Sequence, residues 1–116
     1  MKIPAEAISH FELGIYLPIL LIILEKDRAT MQQVNFKFTS PYLHIVDQTK
    51  LRIESELENT KAYFHRHKMR LTRGKKDELF TEYHFRYDEL VECRRYSNIR
   101  LRNHSEMLLM RYLESH

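Results

Sequence analysis

Glycine and proline are scarce in this chain. It has two glycines and three prolines in 116 residues, where an average sequence would carry roughly 14 at about 7% Gly and 5% Pro. Sandwiches, barrels and doubly wound sheets need frequent turns, and turns draw on those residues. The shortage therefore excludes such folds and predicts an all-α chain of few, long helices. Cysteine is nearly missing too. With Cys93 alone, no internal disulfide can form, no Cys-based zinc or iron–sulfur site is expected, and a reducing, cytoplasmic compartment is expected. The segment Met1-Lys2-Ile3-Pro4-Ala5-Glu6 lacks the basic-then-apolar order of a signal peptide. Only Gly74 is placed for a loop, which excludes phosphate-cradling Gly-rich loops and the nucleotide chemistry they support. Disorder is excluded by the opposite signs: 43% hydrophobic residues, 11% aromatic, and a net charge of only +3.

What is present reads as helices. Pro4 can open the first one, where a missing N–H costs nothing. Ser40-Pro41 reads as a hydroxyl cap followed by a proline in the first turn of the second. Leu43, Val46, Lys50, Ile53, Leu57, Thr60, Phe64, His67 and Leu71 then follow at steps of three and four, a coiled-coil-like seam. Gly74 would end that helix in the left-handed conformation, and Asp77 would cap the next. Leu79, Tyr83, Leu90, Cys93, Leu101, His104, Leu108 and Tyr112 keep one stripe across the final segment. The expected architecture is one domain over 1–116, an up-down-up bundle of three helices at about 5–33, 41–73 and 77–114. A break at Ser97-Asn98 would make four.

The run from Ile15 to Leu24 contains no charge and no amide, and Glu25-Lys26-Asp27-Arg28 ends it. It is about half the length that a hydrocarbon core of ~30 Å requires, so no transmembrane segment is expected. A helix apolar on every side still needs cover. Phe36, Phe38 and neighbouring side chains wrap it, or a second copy of the chain does, with Tyr16, Pro18, Leu20 and Ile23 at the interface; a membrane surface or a hydrophobic ligand is the third cover. Gly14 and Pro18, four apart in that stretch, predict a kink between them.

Acid is absent from residues 61–76, which carry seven cations. Arg66, Lys68, Arg70, Arg73, Lys75 and Lys76 are candidates for binding nucleic acid or another polyanion. Cations also belong at a helix C-terminus for dipole reasons, and no helix-turn-helix is readable. The di-iron and zinc-protease spacings are absent: no acid stands three residues before any of the seven histidines, and no His-x-x-x-His occurs, while a zinc site assembled from several helices stays open. His67 and His104 read as core histidines, and Cys93 as a buried thiol without a partner. No catalytic residue, metal or cofactor is assigned.

The stretches Ile15–Glu25, Leu79-Phe80-Thr81-Glu82-Tyr83 and Met107–Leu113 resemble small uncharacterised helical proteins of low-GC Gram-positive bacteria. That resemblance implies no activity and transfers no site residue. The expectation drawn from the residues is a non-catalytic interaction or regulatory module, homodimeric through 15–24. The alternative is polyanion binding through 61–76.

Overall fold

Residues 1–114 are described by a computed structural model. Its elements run α1 (Ala5–Gln33), α2 (Ser40–Arg66), β1 (Met69–Lys76), β2 (Phe80–Tyr87), β3 (Leu90–Ser97) and α3 (Asn98–Glu114). The fold is therefore α+β, and the all-α bundle is corrected. The first expected helix, 5–33, stands. The second stops at Arg66 rather than 73. What read as the first half of a helix over 77–114 is two strands, so neither the three-helix nor the four-helix bundle forms.

The sheet is an antiparallel meander in the order β1-β2-β3. Thr81, Tyr83, Phe85 and Tyr87 alternate along β2 and turn toward the helices, a period of two that fits a half-buried strand. Their cross-strand partners Met69 and Leu71 on β1 and Tyr96 on β3 share that inner face. The turns are made with almost no help from glycine. Lys68 (φ 54°) ends α2 in the left-handed conformation, and Asp88 (φ 53°) takes it in the β2–β3 turn, a conformation that aspartate tolerates better than most residues. At the β1–β2 turn the Asp77 carboxylate accepts the N–H groups of Leu79 and Phe80, both at 2.8 Å. Those amides hold its carboxyl below the usual range. The expected cap is there chemically, but it closes a hairpin rather than opening a helix. Ser97 does cap a helix: its hydroxyl accepts the Arg100 N–H at 3.0 Å, and α3 begins beside it.

Glycine and proline sit differently from expectation as well. Gly74 lies within β1 with no positive φ. The α2 N-cap is Thr39, one residue earlier than expected, and it makes no side-chain cap. α1 continues through Pro18 as one helix. A Cβ on Gly14 would stand 3.0 Å from the Phe64 ring and 3.1 Å from Leu71 Cδ2. The glycine thus lets α2 and β1 press onto the α1 backbone.

Two apolar clusters divide along α1. Its N-terminal half packs on the sheet, with Phe11 stacked on Phe85 at 4.4 Å and Ala7, Tyr16, Tyr63 and Tyr96 around them. Its C-terminal half, through Leu17, Leu20 and Leu24, packs on Val46 and Ile53 of α2, with Leu108, Leu109 and Tyr112 of α3 against them. Polar ties cross the same seams. Arg28 grips Asp47 with two nitrogens at 2.7 and 3.2 Å, Lys50 meets Glu25 at 2.6 Å, and the Tyr96 hydroxyl donates to Glu12 at 3.0 Å. The Arg52 guanidinium donates to the Tyr112 carbonyl at 2.6 Å, and the Tyr112 hydroxyl bonds Glu56.

Candidate functional site

α1, the inner face of the sheet and α3 do not close completely. They leave a cleft of about 440 Å³. Ile19 and Ile23 of α1, Tyr83 of β2 and Leu101 of α3 make its apolar walls. The alternation that sends Tyr83 and Thr81 inward sends their β1 partners, Arg73 and Lys76, to the same side. An extra residue bulges β1 between those two positions. Arg102 of α3 joins them, so three cations surround an apolar opening. Burial raises the Tyr83 hydroxyl above its ordinary pKa, against the pull of Arg73.

Asn98 holds one end of the cleft together. Its side-chain oxygen accepts the Thr81 hydroxyl at 2.7 Å, its amide nitrogen donates to the Asp77 carbonyl at 2.9 Å, and its backbone N–H donates to Leu79 at 2.8 Å. The start of α3 is thereby locked to the β1–β2 turn. Ser105 also lines the cleft. It is 1% exposed, and its hydroxyl has no protein hydrogen-bond partner, although buried polar groups are nearly always paired.

The candidate interface residues part company. Tyr16 and Leu20 are buried in the chain's own core, where burial and the nearby Glu12 raise the Tyr16 hydroxyl's pKa. Pro18 and Ile23 are half-buried. With Ile19 and Ile22 they form one strip of α1, in which Ile22 is 58% exposed. Phe36 and Phe38, candidates to wrap the run, stand exposed in the α1–α2 connection instead.

The six candidate polyanion residues are not one tip between two helices. Arg66 ends α2 and Lys68 forms the turn, while Arg70, Arg73, Lys75 and Lys76 belong to β1. β1 is an edge of the sheet, and charged side chains on an edge deter pairing with another strand. Arg70 faces outward, opposite Arg86, away from Arg73 and Lys76.

Several histidines have structural partners. His10 stacks on Tyr63 at 3.5 Å, His67 lies 4.2 Å from the same ring, and His104 lies 4.5 Å from Tyr16. His116 lies outside the described residues. Cys93, expected to be buried, is exposed on the outer face of β3. There Glu82, His84 and Cys93 present ligand atoms that all lie within 4.8 Å of one another. A spacing test built for helices overlooks such a group, because residues two apart share a face only in a strand.

By length and composition α1 as a whole also meets the minimum for a membrane span, although its charge-free run 15–24 alone is shorter. Of its most apolar 18-residue window, 39% is buried within the chain. Core helices of soluble proteins and signal sequences meet the same criterion.

A family model described as YhjD protein matches residues 2–116. The uncharacterized protein YhjD of Bacillus subtilis (strain 168) is 28% identical over 108 residues, which is 93% of this chain and 90% of that protein. This agrees with the resemblance to proteins of low-GC Gram-positive bacteria. No solved structure gives a significant match.

Proposed function

The chain belongs to the YhjD family, and on its geometry we propose that it is a non-catalytic interaction module that works as a homodimer through α1. The contact strip is Pro18, Ile19, Ile22 and Ile23, four residues on one side of the helix. The observation that carries this reading is the incomplete cover of the most apolar helix, with Ile22 58% exposed in mid-helix. A second copy would bury that strip and add roughly 25 cal/mol for each Å² of apolar surface removed from water. Cytoplasmic residence goes with the reading, since the one cysteine is exposed and unpaired.

Light scattering at micromolar concentration tests it. Twice the chain mass of 14.2 kDa is expected, falling to one chain mass for Ile22→Glu, a position whose exposure leaves the core untouched. A wild-type mass of one chain would overturn the dimer.

A second reading rests on a separate observation, the three cations Arg73, Lys76 and Arg102 around one opening. They suit an anionic partner such as a nucleic acid. Affinity would then fall steeply with salt, and no binding of an oligonucleotide at low salt would end this alternative.

A further inference from the structure

The outer face of the sheet carries chemistry that the α1 interface does not use. We propose that Glu82, His84 and Cys93 form a zinc site. Glu82 and His84 stand two apart on β2, and Cys93 is the direct cross-strand partner of His84 on β3. All three side chains therefore leave the sheet on one face, and their ligand atoms are within 4.8 Å of one another. Ligands of a tetrahedral zinc, at about 2.0–2.3 Å from the metal, are separated by roughly 3.3–3.8 Å. Rotamer adjustment of about an ångström closes the difference, which a solvent-facing strand pair permits.

Gly74 is the independent observation. A Cβ at that position would lie 2.7 Å from His84 Nε2, 3.2 Å from His84 Cδ2 and 3.4 Å from Glu82 Cβ. The φ there is not positive, so the backbone does not demand glycine. Glycine within a strand weakens it. A side chain at this position would have to displace the imidazole, and glycine leaves it in place beside Glu82.

The donor set selects the metal. One thiolate, one imidazole and one carboxylate suit zinc, whereas magnesium and calcium take oxygen ligands and copper(I) prefers several sulfurs. Three protein ligands leave a fourth position to water, on a face no helix covers. Arg95, the cross-strand partner of Glu82, is a competing charge on that face. Its guanidinium sits over the Phe80 ring at 4.2 Å, which leaves the carboxylate free.

The test is a titration of the reduced, untagged, chelator-treated full chain with cobalt(II), then zinc(II). One equivalent of cobalt should give a thiolate charge-transfer band in the near ultraviolet and the intense visible bands of tetrahedral coordination. Zinc should abolish both, with a dissociation constant in the micromolar range or below. Cys93→Ser should remove the charge-transfer band, and His84→Ala should weaken zinc at least about tenfold. Gly74→Ala should weaken it with every ligand retained. Zinc should also protect Cys93 of the wild-type chain from alkylation, a readout that does not depend on a variant folding. Absence of the band at millimolar cobalt, its survival in Cys93→Ser, or unprotected alkylation would each overturn the site.

Discussion

Replacing Ser105 by alanine should make the protein more stable, which is unusual for a fully buried residue. The Ser105 hydroxyl is buried and has no protein hydrogen-bond partner, so folding carries a desolvation cost of up to about 1–3 kcal/mol. Ser105 lies within α3, where alanine is also the better helix former by a few tenths of a kcal/mol. The atom removed is small, and it lines a cleft rather than filling a packed layer. The expected gain is therefore about 1–3 kcal/mol. Unfolding entropy of about 2.1 cal/mol/K per residue turns each kcal/mol into roughly 4 °C in a chain of this size, so Tm should rise by about 4–12 °C. Thr49→Val is the control. Its hydroxyl is equally buried but donates to the Ile45 carbonyl at 2.8 Å and accepts from Arg52 at 3.3 Å. Deleting it removes both bonds, although the same arginine nitrogen keeps the Tyr112 carbonyl, and should cost about 0.5–1.5 kcal/mol. Calorimetry on the two variants gives opposite signs if the reasoning holds. A fall in Tm for Ser105→Ala, or equal losses in both, refutes it.

Two further predictions concern the fold. Phe85→Ala should cost about 3–5 kcal/mol in urea unfolding, because the ring is wholly buried and stacked on Phe11. A loss below about 1 kcal/mol would mean that the sheet does not pack on α1 as described. Acid should destabilise the α1–α2 pairing. Arg28 holds Asp47, and Lys50 holds Glu25, below their ordinary values of 3.8 and 4.5. The stability these carboxylates supply is complete above those values and is lost as pH falls through the depressed ones. Tm measured against pH should show a shallower acid limb for Asp47→Asn than for the wild type, and superimposable limbs would contradict the assignment.

The helices were legible because their signals are local. The span 5–33 follows from uninterrupted helix formers, and the α2 start from a proline that tolerates only the first turn. The α3 start appeared only as the alternative break at Ser97-Asn98, the favoured reading being one helix over 77–114. The sheet was hidden by two coincidences. Met69 and Leu71 fit the continuing seam of α2 as well as a strand, and a short apolar run does not choose between the two periods. The turns were made by Lys68, Asp77 and Asp88 rather than by glycine. The Thr81-Tyr83-Phe85-Tyr87 alternation was the signal that could have exposed β2. The cleft and the outer-face cluster depend on cross-strand register, as in His84 opposite Cys93, and register belongs to the assembled sheet rather than to any stretch of sequence.

The bond between Tyr96 and Glu12 spans 84 positions, and this separation sets an order of events at birth. A ribosome adds about 5–20 residues per second, so roughly 4–17 s pass between the appearance of the two partners. During that interval Phe11 and its neighbours have emerged while Phe85 and Tyr96 have not yet been joined to the chain. α2 can shield one flank as soon as it is made, through Val46 and Ile53. On the sheet-facing flank α2 supplies only Tyr63 and Phe64, and the rest of the cover waits for the strands. A nascent chain must therefore hold part of its Phe11 face open until β2 and β3 have been made.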